Sequence, residues 1–292
     1  MVPENPNLTS LLPVRHPQQD LFICDIADCV LKNDIASMEH PVFSLSKKPD
    51  LSVREYVNGD KSLTVTPSVK GMATIYDKDI LIFAISQLMT AKNQGKRISR
   101  ELRLSARSFL VFSNRHTGGG DYEQLEAALD RLTGTRLRTS IRTGGEKQDS
   151  WFGLVDNAYV RRAEKDDGAE GRVIEMRITL SDWLFNAITA NEVLSMHPDY
   201  FRLRKPIERR LYEIARKHCG AQERWEVGLE LLHKKTGSRS PLKQFRFLLK
   251  ELQDRQHLPD YEIVVDVEGE KVLFTRRSTI SEKRNEQSSL SS

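Results

Sequence analysis

The chain of 292 residues has room for about two domains of ordinary size, each able to bury a core of its own. Its 45 Lys and Arg against 41 Asp and Glu leave a net charge of only +4, so any preference for a polyanion must come from where the charges sit. Cys24, Cys29 and Cys219 lack the paired spacing of a zinc ribbon or a disulfide framework and read as buried thiols, while the lack of a signal-like leader or of an apolar run near the roughly 20 residues that span a bilayer predicts a soluble, cytoplasmic protein without a membrane partner.

In chain order, residues 1–40 form a small N-terminal arm. Its first 18 residues, rich in Pro, Asn, Ser and Gln, are expected to be disordered. Asp20, Asp25, Asp28, Asp34 and Glu39 outnumber Lys32, which suits a packing arm better than a polyanion surface. Short extended runs follow near Val42–Leu45, Arg54–Val57 and Ser62–Thr66, the last two joined by the hairpin signal "NGD". Ile80, Ile82, Phe83, Ile85, Leu88 and Met89 recur at helical spacing and predict a helix over Asp77–Lys92. A second short helix spans Ser105–Val111 with Ser105 as N-cap, and "GGGDYEQLEAALDRLTG" is a third that stops at Gly134. Strand-like "TRLRTSIR" and "SWFGLVDNAYVRR" around "TGGEKQD" complete the order helix, helix, helix, hairpin, which is that of a winged helix over residues 41–180.

The second half repeats this order over residues 181–278. After strand-like "RVIEMRITL" and a short junction helix "SDWLFNAI", Leu203, Ile207, Leu211, Ile214 and Ala215 mark a long helix with Pro206 in its first turn and Gly220 at its end. "WEVGLELLHKKTG" supplies a strand and a second helix, Ser240–Gln256 the third helix, and Tyr261–Arg277 the hairpin. The fold class is α+β, two tandem winged-helix domains with a small N-terminal arm and a disordered tail at 279–292.

Charge separates the two halves. Residues 200–258 hold 15 Lys and Arg against seven Asp and Glu, a net +8 that exceeds the charge of the whole chain. Leu242, Phe245, Leu248, Leu249 and Leu252 cluster on one side of the third helix and anchor it. Its other side presents Lys243, Arg246, Phe247 and Lys250, with Arg239 and Ser240 before them, a cationic stripe suited to a DNA major groove. Backbone contacts are expected from Arg204, Lys205, Arg209 and Arg210 on the first helix, Lys234 and Lys235 on the second, and Arg276 and Arg277 on the hairpin. The plainer alternative is a solvated basic face, and Phe247 either meets a thymine methyl or packs beneath its own wing. In the first winged helix Asp121, Glu123, Glu126 and Asp130 would repel phosphates, so that helix packs against protein or a second subunit, or is simply solvated; basic "GKRISRELRLSAR" and "RLRTSIR" are the segments able to touch phosphates from the side.

No G-x-x-x-x-G-K-[ST] loop, H-E-x-x-H or G-x-S-x-G elbow occurs, and the seven histidines are scattered. This predicts no catalytic residue, metal or cofactor. The glycines of "HTGGGD" read as a linker rather than a phosphate cradle.

"TVTPSVKGMATIYDKDILIFAISQL", "TGTRLRTSIRTGG", "ITLSDWLFNAI" and "DYFRLRKPIERRLYEIARKHCG", within a span from Pro17 to Arg277, resemble the replication initiator protein A family of bacterial plasmids. The resemblance implies a non-enzymatic initiator that binds double-stranded DNA repeats at an origin and recruits the host initiator and helicase machinery. It also implies a homodimer in exchange with monomer, the first winged helix serving dimerisation with auxiliary DNA contact and the second reading bases. A winged-helix transcriptional repressor is the competing reading.

Overall fold

A computed structural model describes residues 21–23, 42–58, 61–143, 146–164, 171, 173–220 and 222–277. Described residues up to Pro198 form one compact unit and those from Asp199 a second. The segments expected to be disordered at either end, and Cys24 and Cys29, lie outside the described residues.

The first unit begins with strand β1 (Leu21–Ile23), then the hairpin β2 (Arg54–Asn58) and β3 (Lys61–Thr66) at the "NGD" turn. The run at Val42–Leu45 contributes only an isolated bridge from Ser44 to Thr74. Helix α1 (Lys78–Asn93) is followed by β4 (Glu101–Ser105), α2 (Ala106–Phe112) and α3 (Gly119–Gly134). Ser105 caps α2 as its spacing predicts, its hydroxyl accepting from the Ser108 amide at 3.2 Å. Ile80, Phe83, Phe109, Leu125 and Leu129 are buried between these helices, with Phe83 tilted against Phe109 and Phe112.

Five strands and a helix complete the unit: β5 (Arg136–Thr143), β6 (Glu146–Gly153), β7 (Val155–Arg162), β8 (Val173–Leu180), α4 (Asp182–Thr189) and β9 (Leu194–Met196). Here the structure corrects the sequence reading. The run "SWFGLVDNAYVRR" is two strands broken at Leu154, and β5–β6 is not the wing. Those strands join the earlier hairpin in a sheet of order β2-β3-β5-β6. The wing is the next hairpin, β7–β8, which forms a sheet of order β4-β8-β7. β8, the run "VIEMRITL" inside the expected bounds 41–180, is therefore the last strand of the first winged helix rather than a lead-in to the second.

The unit also extends past residue 180, where the sequence reading started the second domain. Lys92 Nζ donates to the carbonyls of Ile188 and Thr189 at 3.3 and 2.7 Å, tying the end of α4 to the end of α1. Strand β9 pairs antiparallel with β1, and β1 lies against α1. These contacts keep 181–198 in the first unit.

After a 3₁₀ turn (Pro198–Arg202), the second unit runs α5 (Pro206–Cys219), β10 (Arg224–Gly228), α6 (Leu229–Thr236), α7 (Leu242–Arg255), β11 (Tyr261–Asp266) and β12 (Lys271–Arg276). Its sheet order, β10-β12-β11, has the same connectivity as β4-β8-β7. The chain is thus an α+β protein with two tandem winged helices, the first carrying β2, β3, β5 and β6 as additions. Pro206 opens α5 and Gly220, at φ +44, closes it. Trp225 stacks between His218 and Phe274, while Tyr200, Tyr212 and Tyr261 form a second aromatic run in the core. Cys219 is fully buried, and burial pushes its thiol pKa up to about 11.

One ion pair ties the helices of the first unit together. Asp77, at the start of α1, is buried; it accepts from the Thr74 amide at 2.8 Å and from Arg131 Nε and Nη2 on α3 at 2.7 and 2.8 Å. The hydrogen bond to Asp77 raises the Arg131 pKa. Replacing Arg131 by Met strands a buried carboxylate, so chemical denaturation should report a loss of about 3 kcal/mol in the unfolding of this unit. An unchanged midpoint would show that the pair does not hold α3 to α1.

Candidate nucleic-acid interface

Phe245, Leu249 and Leu252 of α7 are buried, with Leu242 and Leu248 half-buried beside them, as the wheel predicts. The rotation of the helix is fixed further by glutamines that sequence reasoning passes over. β11 is an edge strand, and its outward polar groups are met by α7 and its cap. The Gln256 amide donates to the Ile263 carbonyl at 2.6 Å and accepts from the Ile263 amide at 3.1 Å. Gln253 Oε1 accepts from the Val265 amide at 2.6 Å. Side chains thus take the place of another strand, satisfying backbone groups that would otherwise be left unpaired.

With the helix held so, Lys243, Gln244, Phe247 and Lys250 are exposed. Lys243, Phe247 and Lys250 follow one another by four and three residues and form one line along the helix. Phe247 is 67% exposed, too much for a ring packed under its own wing. Pro241, at the start of α7, makes no side-chain capping hydrogen bond. The preceding loop is set by His233 Nε2 against the Ser240 carbonyl at 2.9 Å and by the Ser238–Ser240 hydroxyl pair at 2.8 Å. Arg239 and Lys234 are exposed on this side of the sequence, and Arg204 is exposed before α5.

Other predicted contact residues are committed elsewhere. Arg209 is 2% exposed: its Nε donates to the Leu203 carbonyl at 2.8 Å and its guanidinium lies over the rings of Tyr200 and Phe201. It is a core residue, not a phosphate contact. Lys235 is buried as well. Arg210 donates to the Lys235 carbonyl at 3.0 Å and bridges α5 to α6. Lys205 pairs with Glu251 at 2.9 Å, and this hydrogen bond lowers the Glu251 pKa. Arg277 bonds Glu262 at 2.9 Å and donates to the carbonyls of Gln256 and Leu258, closing the base of the wing, with burial lowering its pKa. Arg276 is half-buried at the same base.

The wing tip corrects the picture of a basic hairpin. Asp266, Glu268 and Glu270 stand exposed around the turn, and the one base there, Lys271, is paired with Glu226 at 2.8 Å. The charge count over 200–258 stops short of these acids. Arg246 is not fully available either, its Nη2 being 2.8 Å from Glu270. The cationic surface is therefore a narrow one, centred on Lys243, Phe247 and Lys250.

In the first unit the acids of α3 face inward in part. Glu126 forms a two-pronged pair with Arg162 on the wing, both distances 2.5 Å, while Glu123 and Asp130 are exposed. Arg97, Arg103 and Arg107 are exposed around a groove of about 670 Å³ between α1, β4 and α2. Arg138 pairs with Asp149 and lies 5.0 Å from the exposed Trp151 ring. Among the described residues no cluster of His, Cys, Asp and Glu has the arrangement of a metal site, and no helix is long and apolar enough to cross a membrane.

Comparison with known proteins agrees with this architecture. The family model described as Replication initiator protein A matches residues 32–263. A protein of Wigglesworthia glossinidia brevipalpis, described provisionally as a replication protein, is 37% identical over 262 residues, covering 89% of this chain and 94% of its own. Among solved structures, domains 2 and 3 of RctB superpose with a TM-score of 0.62 at 12% identity over 87% of this chain and 99% of that one. A second crystal structure of the same RctB domains gives 0.59 at 11% identity, over 83% and 97%. These two likenesses concern the fold.

The division between core and surface cations is measurable in thermal or chemical unfolding. Arg209→Ala should cost about 3 kcal/mol, since it removes a buried guanidinium and its ring contacts. Lys243→Ala and Lys250→Ala should each stay within about 0.5 kcal/mol of the parent. Equal effects at the three positions would contradict the burial pattern.

Proposed function

Because the chain belongs to the replication initiator protein A family, we propose that it is a plasmid replication initiator whose second winged helix binds repeated sites in double-stranded origin DNA. The observation that carries this reading is the exposed Lys243–Phe247–Lys250 line on α7, whose rotation is fixed by Gln253 and Gln256. An α-helix fits the major groove, where Phe247 can meet a thymine methyl, Gln244 an adenine edge, and the lysines phosphates or guanine. Arg204, Lys234 and Arg239 add positive charge at the margins.

The first winged helix has another task. Its third helix engages its own wing through Glu126 and leaves acids outward, so it suits a protein contact better than a groove. We assign it to homodimerisation, in exchange with monomer, with Arg97, Arg103 and Arg107 as auxiliary backbone contacts. The role is non-catalytic: bound at the origin in the cytoplasm, the protein recruits the host initiator and helicase machinery, and no cofactor enters the scheme.

Footprinting on the origin of its plasmid should show protection of repeated sites, and a plasmid carrying only that origin and this gene should replicate. Protection without replication would favour a repressor; no protection by folded protein would remove the origin-binding reading. Lys243→Ala and Lys250→Ala should each make the fall of log K with log salt shallower by about one unit of slope. Phe247→Ala should instead cost about 1 kcal/mol or more, relax the sequence preference and leave the salt slope unchanged.

A further inference from the structure

Among the cations expected on the reading helix, Arg246 alone is held by an acid from the wing tip. Its Nη2 lies 2.8 Å from Glu270 Oε1, the side chains being 30% and 60% exposed. The pair is only half satisfactory for the arginine, because Nε is buried and has no hydrogen-bond partner. A guanidinium that offers two parallel N–H groups is thus using one edge imperfectly, and a bidentate acceptor would serve it better.

The backbone at Glu270 is equally telling. It stands at φ +48, a left-handed conformation that Gly or Asn adopts more readily than Glu. The turn itself does not need this carboxylate: Asp266 Oδ1 accepts the amides of Glu268 and Gly269 at 3.1 and 3.0 Å, and the Glu270 carbonyl, not its side chain, receives the Leu229 amide at 2.8 Å. The side chain of Glu270 is bound to Arg246 instead.

We propose that Glu270 is a built-in competitor for DNA: it occupies Arg246 in the free protein and must be displaced by a phosphate or a guanine edge before that arginine contributes to binding. Glu270 is a positioning residue acting through Arg246, and the acidic tip, with Lys271 neutralised by Glu226, adds repulsion toward phosphates that do not offer such an exchange. The inference rests on the reading of α7 as the DNA-facing helix.

The experiment measures affinity for an origin duplex and for a random duplex of equal length, using the full chain and the variants Glu270→Gln, Glu270→Asn, Arg246→Ala and the double variant Glu270→Gln with Arg246→Ala. Both Glu270 variants should bind DNA about two- to fivefold more tightly, with a gain that shrinks as salt screens the exposed pair. Misfolding would not produce such a gain, and Glu270→Asn also relieves the backbone. In the Arg246→Ala background the Glu270→Gln gain should largely vanish. A gain that persists undiminished there would overturn the latch in favour of general repulsion, and no gain in either single variant would overturn it outright. Lys243→Ala, run alongside, separates the two levels of argument. If it weakens binding while Glu270→Gln changes nothing, the latch alone fails; if neither matters, α7 is not the DNA-facing helix.

Discussion

The surface offered by the second winged helix depends on how α7 is bolted to the edge of β11. Rotation of a helix about its axis decides which residues a partner meets, and a leucine stripe fixes it only loosely, because apolar packing tolerates some sliding. The hydrogen bonds of Gln253 and Gln256 are directional and span the last turn of α7 and an edge strand. Arg277 reinforces the same end by taking the carbonyls that follow the helix. Lys243, Phe247 and Lys250 are exposed as a line because these polar contacts leave the helix one orientation.

The same region shows how burial edits a charge count. A net +8 over residues 200–258 suggests a broad cationic surface, yet Arg209 and Lys235 are inside, Arg210 is a strut, and Lys205 and Arg255 share Glu251. Buried cations need partners, and the fold supplies carbonyls, rings and carboxylates. What remains outward is smaller but more directional, and the acids of the wing tip border it. Specific recognition benefits from such confinement, since a wide basic surface would hold any duplex.

Much of this was legible in the sequence. Helices α1, α2, α3, α5 and α7 announce themselves by apolar spacing and by punctuation at Ser105, Gly134, Pro206 and Gly220. The duplicated order of elements is legible too. Strand partners are not: alternation marks β5, β6, β7 and β8 as extended without saying which pairs with which, so the first hairpin after α3 passed for the wing. The extent of the first unit depends on β1 meeting β9, a contact between distant segments that no local pattern encodes. In the candidate interface, Lys243, Phe247 and Lys250 follow from the helical wheel, whereas Arg209 looks like any surface arginine until Tyr200 and Phe201 are seen around it.

The strands inserted before the wing of the first unit alter the order in which the two halves can assemble. To build the sheet β2-β3-β5-β6, Lys61 must find Ile141 after three helices have been threaded between them, and β1 must wait for β9 near the unit's end. In the second unit the most distant strand pairing, Arg224 with Thr275, closes a much shorter loop. Loop closure over longer stretches slows folding, so although the ribosome delivers the first unit earlier, the second has the shorter search once its chain is complete.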